Sequence, residues 1–241
     1  MIVSDSTLRS IALAQPETIR VFESFNLDYC CGGNRPLSQA CAEKGLELNT
    51  VLTALAAATS GAPAEQGFNQ TTATELIRHI VTTHHAYVRN ELPRLLTMAE
   101  KVVRKHGPAH PEYVQVGSDL QQLAAELTPH LGKEELILFP YVEALEKSRT
   151  GNGKAPHACF GTVESPIRAM VHEHEAAGTL LEEMRNSTGG FTPPADACPT
   201  LVGLLHGLGA FERDLHRHVH LENNLLFPMA ITLENEVLAA R

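Results

Sequence analysis

HLGKEELILFP runs from His130 to Pro140, and HVHLENNLLFP runs from His218 to Pro228, eighty-eight positions later. Both read His-x-x-x-Glu-x-x-Leu/Ile-Leu-Phe-Pro, with histidine and carboxylate in the same register. One such string is within reach of chance, whereas two imply a structural unit used twice. A His and a Glu four residues apart lie one turn apart on one helix face. Around them each copy is apolar: Leu127, Leu131, Ile137 and Leu138 in the first, Leu215, Leu221, Leu225 and Leu226 in the second. Polar groups in an apolar stripe must find partners or bear a desolvation cost.

Outward from the repeat, Leu, Ala, Glu and Met recur at three- and four-residue spacing and strand-like alternation is scarce. Four periodic segments cover approximately 71–105, 111–148, 163–186 and 196–238, separated by HGPAHP, RTGNGKAPHACFG and STGGFTPPAD. The pattern predicts an all-α protein, an up-down-up-down four-helix bundle with the repeat on its second and fourth helices. Residues 1–59 read as a separate small helical domain, with Pro16 opening PETIRVFESF, CCGGNRP as a break, and Asn49 as a cap for TVLTALAAA. SGAPAEQGFNQ, residues 60–70, has a linker's composition, so the bundle domain is expected over 71–241.

A duplicated hairpin should place one further ligand on the first and third helices. On the third, His174 lies seven after Ile167, four after Met170 and seven before Leu181, and so faces the core, whereas His172 shares its face with Arg168, Ala169 and Glu175. On the first, His84 and His85 both have apolar neighbours at helical spacing. His85 lies 89 before His174 and His84 lies 90 before it, so the repeat offset of 88 leans toward His85.

Four histidines and two glutamates can hold two metals, each with two imidazoles and both bridged by the two carboxylates. A shared oxo or hydroxo bridge completes five donors and leaves a sixth position for a small ligand. Mixed imidazole and carboxylate donors at six-coordination point to iron, with manganese next, while zinc prefers four ligands. A single buried histidine is more often a hydrogen-bonded core residue than a ligand. The duplicated pair with its offset-matched histidines is what moves the balance to a metal. Glu126, one turn before His130, and Glu173, directly before His174, are candidates to orient a ligand or pass a proton, and read equally well as solvated surface residues. His106, His110 and His157 fall in loops and read as surface. Pro129 and Gly132 flank His130 and are expected to weaken or kink the helix at the site.

The 241 residues include 19 basic and 28 acidic side chains, a net charge of −9, which argues against nucleic acid as a partner. Thirteen histidines beside no tryptophan, eight Phe and four Tyr is the one unusual count, and it asks for a site. No basic leader followed by an apolar run is present, nor an apolar run long enough to span a bilayer, so no membrane is expected. Five cysteines without framework spacing read as thiols in a reducing compartment, the cytoplasm. Cys30 and Cys31 sit side by side in NLDYCCGG. Vicinal thiols at a Gly-rich turn can be exposed thiolates, although free cysteines are usually buried and inert.

FNLDYCCGG near the N-terminus, followed by a bundle with HxxxEExILFP and HxxLENNxLFP, resembles the repair of iron centres (RIC) family, the ScdA/YtfE-type di-iron proteins, over nearly the whole chain. Hemerythrin-like bundles are widespread, and Asp-Tyr-Cys-Cys-Gly-Gly makes the match specific. The resemblance implies a short ScdA-type N-terminal domain, a hemerythrin-like domain and a non-haem di-iron centre. It also implies a role in restoring iron–sulfur clusters damaged by nitrosative or oxidative stress, through iron donation or through nitric oxide binding or reduction, the latter making the chain an enzyme. Carried over by motif, it gives His85, His130, Glu134, His174, His218 and Glu222 as ligands with the glutamates bridging, and matches Cys30 and Cys31 to the family's cysteine pair. Damaged cluster proteins are the implied partners and nitric oxide or dioxygen the small ligands. The alternative is a hemerythrin-like dioxygen or nitric oxide binding or sensing module. The small N-terminal domain is expected to dock on its own bundle or on a second subunit of a homodimer.

Overall fold

The computed structural model describes residues 2–59, 71–151, 156–195 and 197–240. The linker expected over 60–70 lies outside the described residues. Among those described, the regular structure is helical, with one isolated β-bridge between Thr7 and Pro36.

The N-terminal part comprises α1 (Leu8–Ala14), a 3₁₀ turn (Pro16–Thr18), α2 (Ile19–Ser24), α3 (Leu37–Glu43) and α4 (Leu48–Thr59). Thr7 caps α1 by accepting from the Ser10 amide, and Pro16 opens the 3₁₀ turn, where its missing N–H costs nothing. Asn49 does not cap α4, which begins one residue earlier, at Leu48. Leu8, Phe22, Tyr29, Leu37 and Leu55 form a core separate from that of the bundle.

The four expected long helices are present, but three of them contain a wide turn that periodicity alone did not predict. The first runs from α5 (Ala73–His79) through a π turn (Ile80–His85) into α6 (Ala86–His106). The second joins α7 (Pro111–Lys133) through a π turn (Glu134–Leu138) to α8 (Phe139–Arg149). The third is the uninterrupted α9 (Glu164–Ser187). The fourth joins α10 (Pro199–Leu221) through a π turn (Glu222–Leu226) to α11 (Phe227–Ala239). α6 packs on α7 and α10, and α9 packs on the same two, which closes the bundle.

The Leu-Phe-Pro ends of the repeat explain two of the wide turns. Pro140 and Pro228 have no N–H to give to the carbonyls four residues back, at Leu136 and Asn224. The backbone instead widens by one residue, so Phe139 N–H bonds the Glu134 carbonyl and Phe227 N–H bonds that of Glu222. The extra residue also shifts the helical phase. Ile137, expected on the core face, is 48% exposed, and Leu136 is 80% exposed. The kink expected at Pro129 and Gly132 does not occur there. α7 runs through both, with Pro129 on the exposed face, and the irregularity begins at Glu134.

Apolar residues form two clusters along the bundle. One includes Leu95, Leu120, Leu127, Leu181, Leu208 and Phe211, the other Leu76, Ile80, Phe139, Val142, Ile167 and Leu233. Each helix passes from one to the other across His85, His130 and Glu134, His174, or His218 and Glu222. The N-terminal helices dock on the same chain's bundle. Arg217 donates to Glu23 at 2.8 and 3.1 Å, Arg185 to Asn26 at 2.7 Å, and Lys44 pairs with Glu182 at 3.2 Å. No helix among the described residues is long and apolar enough to cross a membrane.

Candidate metal centre

The six residues of the duplicated motif and its two matched histidines meet between the two apolar clusters. All are buried, with Glu134, Glu222, His85 and His218 fully so. The histidines form two pairs, His85 Nε2 at 3.1 Å from His218 Nε2 and His130 Nε2 at 3.1 Å from His174 Nε2. The carboxylates stand between the pairs. Glu134 Oε2 lies 3.5 Å from His85 and 3.4 Å from His130. Glu222 Oε1 lies 3.0 Å from His218, and its Oε2 lies 3.1 Å from His174. Two four-residue donor sets result, His85, Glu134, His218, Glu222 and His130, Glu134, His174, Glu222, each with donor atoms within 4.8 Å of one another.

The π turns place these groups. Glu134 and Glu222 open the second and third wide turns, and His85 closes the first. His84, the other candidate on that helix, is buried but turned away. Its Nδ1 meets Asp214 at 3.0 Å, and its ring stacks on that of His218. His172 is exposed beside Glu175. His220 is buried outside the cluster, where its Nδ1 accepts from Asn224 Nδ2 at 2.9 Å.

Outside the donor sets, acceptors fix the imidazoles. Glu135 accepts from His85 Nδ1 at 2.6 Å and is itself held by Arg89 at 2.8 Å. Glu173 accepts from His130 Nδ1 at 2.7 Å and pairs with Lys133. Asn223 Oδ1 accepts from His174 Nδ1 at 3.0 Å. A proton held on Nδ1 leaves the inward Nε2 lone pair free to coordinate. Glu126, by contrast, is exposed and accepts from Gln122 at 3.0 Å. Glu135 and Asn223 were not singled out from sequence, yet a signal was there: they are 88 apart, and each follows its repeat's glutamate.

Burial, then the neighbouring His174 imidazole, lowers His130 to about 4, and burial also lowers His218. Both are therefore neutral and ready to donate a lone pair. Burial and the Glu222 charge push Glu134 well up. Burial would raise Glu222 too, but the imidazole of His218 beside it, with those of His174 and His85, holds it well below the usual range. Among the described residues, neither oxygen of Glu134 receives a hydrogen bond, and His218 Nδ1 makes none. Buried carboxylates between facing imidazole lone pairs would be costly as a core, and they suit cations bound between them.

Cys30 and Cys31 lie in the N-terminal part, with Sγ atoms 4.0 Å apart and no disulfide. Asp28 holds their turn, accepting from the amides of Cys30, Cys31 and Gly32 at 3.1, 2.9 and 2.8 Å. Cys30 is buried, and its contact with Cys31 and its burial push the thiol well above its ordinary value. Both cysteines line a cavity of about 430 Å³ whose wall also includes His174, Glu175, His216 and Val219.

Two family descriptions match the chain. Residues 76–230 match the hemerythrin HHE cation binding domain, and residues 4–59 match ScdA_N, a domain of unknown function (DUF542). The chain is 37% identical over 227 residues to the iron-sulfur cluster repair protein YtfE of Musicola paradisiaca, covering 94% of this chain and 96% of that protein. It is 38% identical over 231 residues to the YtfE of Edwardsiella ictaluri, covering 96% and 99%. It is 36% identical over 233 residues to a probable iron-sulfur cluster repair protein of Haemophilus influenzae, again covering 96% and 99%. With both domains in order and relatives matched nearly end to end, the chain belongs to the iron–sulfur cluster repair protein family, as a hemerythrin HHE bundle preceded by an ScdA_N domain.

Proposed function

We propose that the chain binds two iron ions at His85, His130, Glu134, His174, His218 and Glu222, with Glu134 and Glu222 shared between them, and that this centre serves the repair of damaged iron–sulfur clusters. The observation that carries the reading is the pair of buried carboxylates, each between two imidazoles whose inward nitrogens lie 3.0 to 3.5 Å from its oxygens. Nitrogen and oxygen donors without thiolate favour iron, with manganese as the alternative metal. Bound iron would supply redox chemistry and a labile metal. The protein residues would keep the imidazoles neutral and oriented, through Glu135, Glu173 and Asn223, and exclude bulk water through the apolar clusters on either side. The repair role follows the names of the relatives, and cluster-containing proteins are the partners it requires. Residues 1–59 and 71–241 would act as two domains, in the cytoplasm, where the free cysteines stay reduced.

The cavity between Cys30, Cys31 and His174 supports a second use of the centre, binding or reduction of a small ligand such as nitric oxide, or binding of dioxygen. One preparation tests both. Chain purified without oxygen should hold about two irons, the number two shared four-donor sets can take, and should restore activity to a cluster enzyme damaged by nitric oxide. His130→Ala and His218→Ala should each lose iron. Wild-type chain that holds no iron under these conditions would overturn the reading. A stable adduct with dioxygen or nitric oxide that forms and releases without loss of iron, and without recovery of the enzyme, would move it to the sensing alternative.

A further inference from the structure

The backbone carbonyl of Asn224 lies inside the wide turn that carries Glu222, and Pro228 deprives it of its helical donor. Arg9 takes the donor's place. Its Nη2 reaches the Asn224 carbonyl at 3.0 Å, across 215 residues of sequence. The side chain of the same asparagine, buried against the N-terminal helices, donates to the carbonyl of Tyr29 at 3.2 Å and to His220 Nδ1 at 2.9 Å. The N-terminal part thus grips both the main chain and the side chain of Asn224.

The neighbours of Asn224 give this grip a consequence. Asn223 holds His174, and Glu222 faces His174 with one oxygen and His218 with the other. Movement of this turn therefore disturbs both donor sets. The other wide turn has the same defect, because Pro140 withholds an N–H from the Leu136 carbonyl, but Leu136 is 80% exposed and water can serve it. Arg9 is in turn fixed by the cysteine turn. Its amide donates to the Gly33 carbonyl at 2.7 Å, and a Cβ at Gly33 would meet the Tyr29 carbonyl at 2.4 Å and Arg9 Cβ at 3.1 Å. Cys30 to Gly33, Arg9, Asn224 and the Glu222 turn form one connected series.

We propose that Arg9 is a positioning residue of the metal centre: by closing the Asn224 carbonyl it clamps the Glu222–Asn223 turn, so that the docked N-terminal part retains metal and its withdrawal releases it. The inference rests on the ligand set proposed above. It makes metal retention a property of the docking between the two parts and not of the bundle alone.

The test uses the full chain, as wild type, Arg9→Ala and Arg9→Lys, loaded with ferrous iron without oxygen. Iron transfer to a ferrous chelator should be about tenfold faster in Arg9→Ala, as expected for loss of a charge-assisted hydrogen bond, and partly restored in Arg9→Lys. In the metal-free chains, amide hydrogen exchange over 222–226 should quicken in Arg9→Ala while that over 134–138 stays unchanged. Wild-type release together with wild-type exchange in Arg9→Ala would overturn the inference. Wild-type chain without iron would overturn the ligand set instead, and the exchange data would still decide the role of Arg9. Pro228→Ala supplies the missing N–H, so adding Arg9→Ala to it should no longer quicken exchange. An undiminished effect there would mean that Arg9 acts elsewhere, and would also overturn the inference.

Discussion

Glu126 and Glu173 have the same side chain, and the sequence places each beside an expected ligand, one a helical turn before His130 and the other directly before His174. The structure gives them different surroundings. Glu126 stays on the exposed face of its own helix with Gln122, whereas Glu173 crosses from α9 to accept from His130 Nδ1. Counting along a helix shows which residues share a face, but not which residue of the neighbouring helix arrives there. The two should therefore separate in experiment. Glu173→Ala removes the acceptor that holds His130 and should weaken iron binding about 10- to 100-fold, while Glu126→Ala should leave it unchanged. Chelator competition measures both, and equal affinities in the two variants would contradict the assignment. Periodicity and the repeat offset named the six residues of the cluster. Glu135 and Asn223 were as legible by the same offset, but their meaning depends on His85 and His174 arriving from other helices.

At the scale of the element, Leu-Phe-Pro reads in sequence as ordinary packing at a helix end. In the structure the chain passes through it, and the proline's missing donor widens the turn just before the phenylalanine. The widened turn presents each phenylalanine to a histidine of another helix: Phe139 stacks on His85 with ring centres 5.7 Å apart, and Phe227 on His174 at 6.1 Å. Hydrophobic periodicity assumes a constant 3.6 residues per turn, so it locates the four long helices but misplaces Ile137, inside the widened turn. Phe139 should be sensitive on two counts. Phe139→Ala leaves a cavity beside a fully buried histidine and should destabilise the chain by about 3–5 kcal/mol in urea unfolding, with Phe139→Leu costing clearly less. A similar small loss in both variants would show that the turn, and not the ring, holds His85.

The whole molecule encloses a polar layer between two apolar clusters and attaches a small helical part to its side. The four-segment pattern made the bundle legible. The docking was not, because it rests on isolated polar contacts far apart in sequence, such as Glu23 with Arg217 and Arg9 with Asn224, which no periodicity marks. Both features give the metal-free chain a defined response to acid. Burial lowers His130 in the polar layer and His220 at the docking surface to about 4, from an ordinary value of 6.5. Between those two values the unfolded chain takes up protons that the folded chain refuses, so stability is complete above pH 6.5 and falls as pH drops toward 4. At pH 5 each histidine accounts for about 2 kcal/mol of the loss. Urea unfolding of metal-free chain across this window should show the decline, and iron-loaded chain should start from a higher stability that acid also erodes, because protons compete with metal for the imidazoles. His220→Gln removes a titrating group that is not in the donor sets while keeping an acceptor for Asn224, so its decline should be shallower by about one proton. A variant with the wild-type slope would place the acid sensitivity in the polar layer alone and leave the docking surface indifferent to pH.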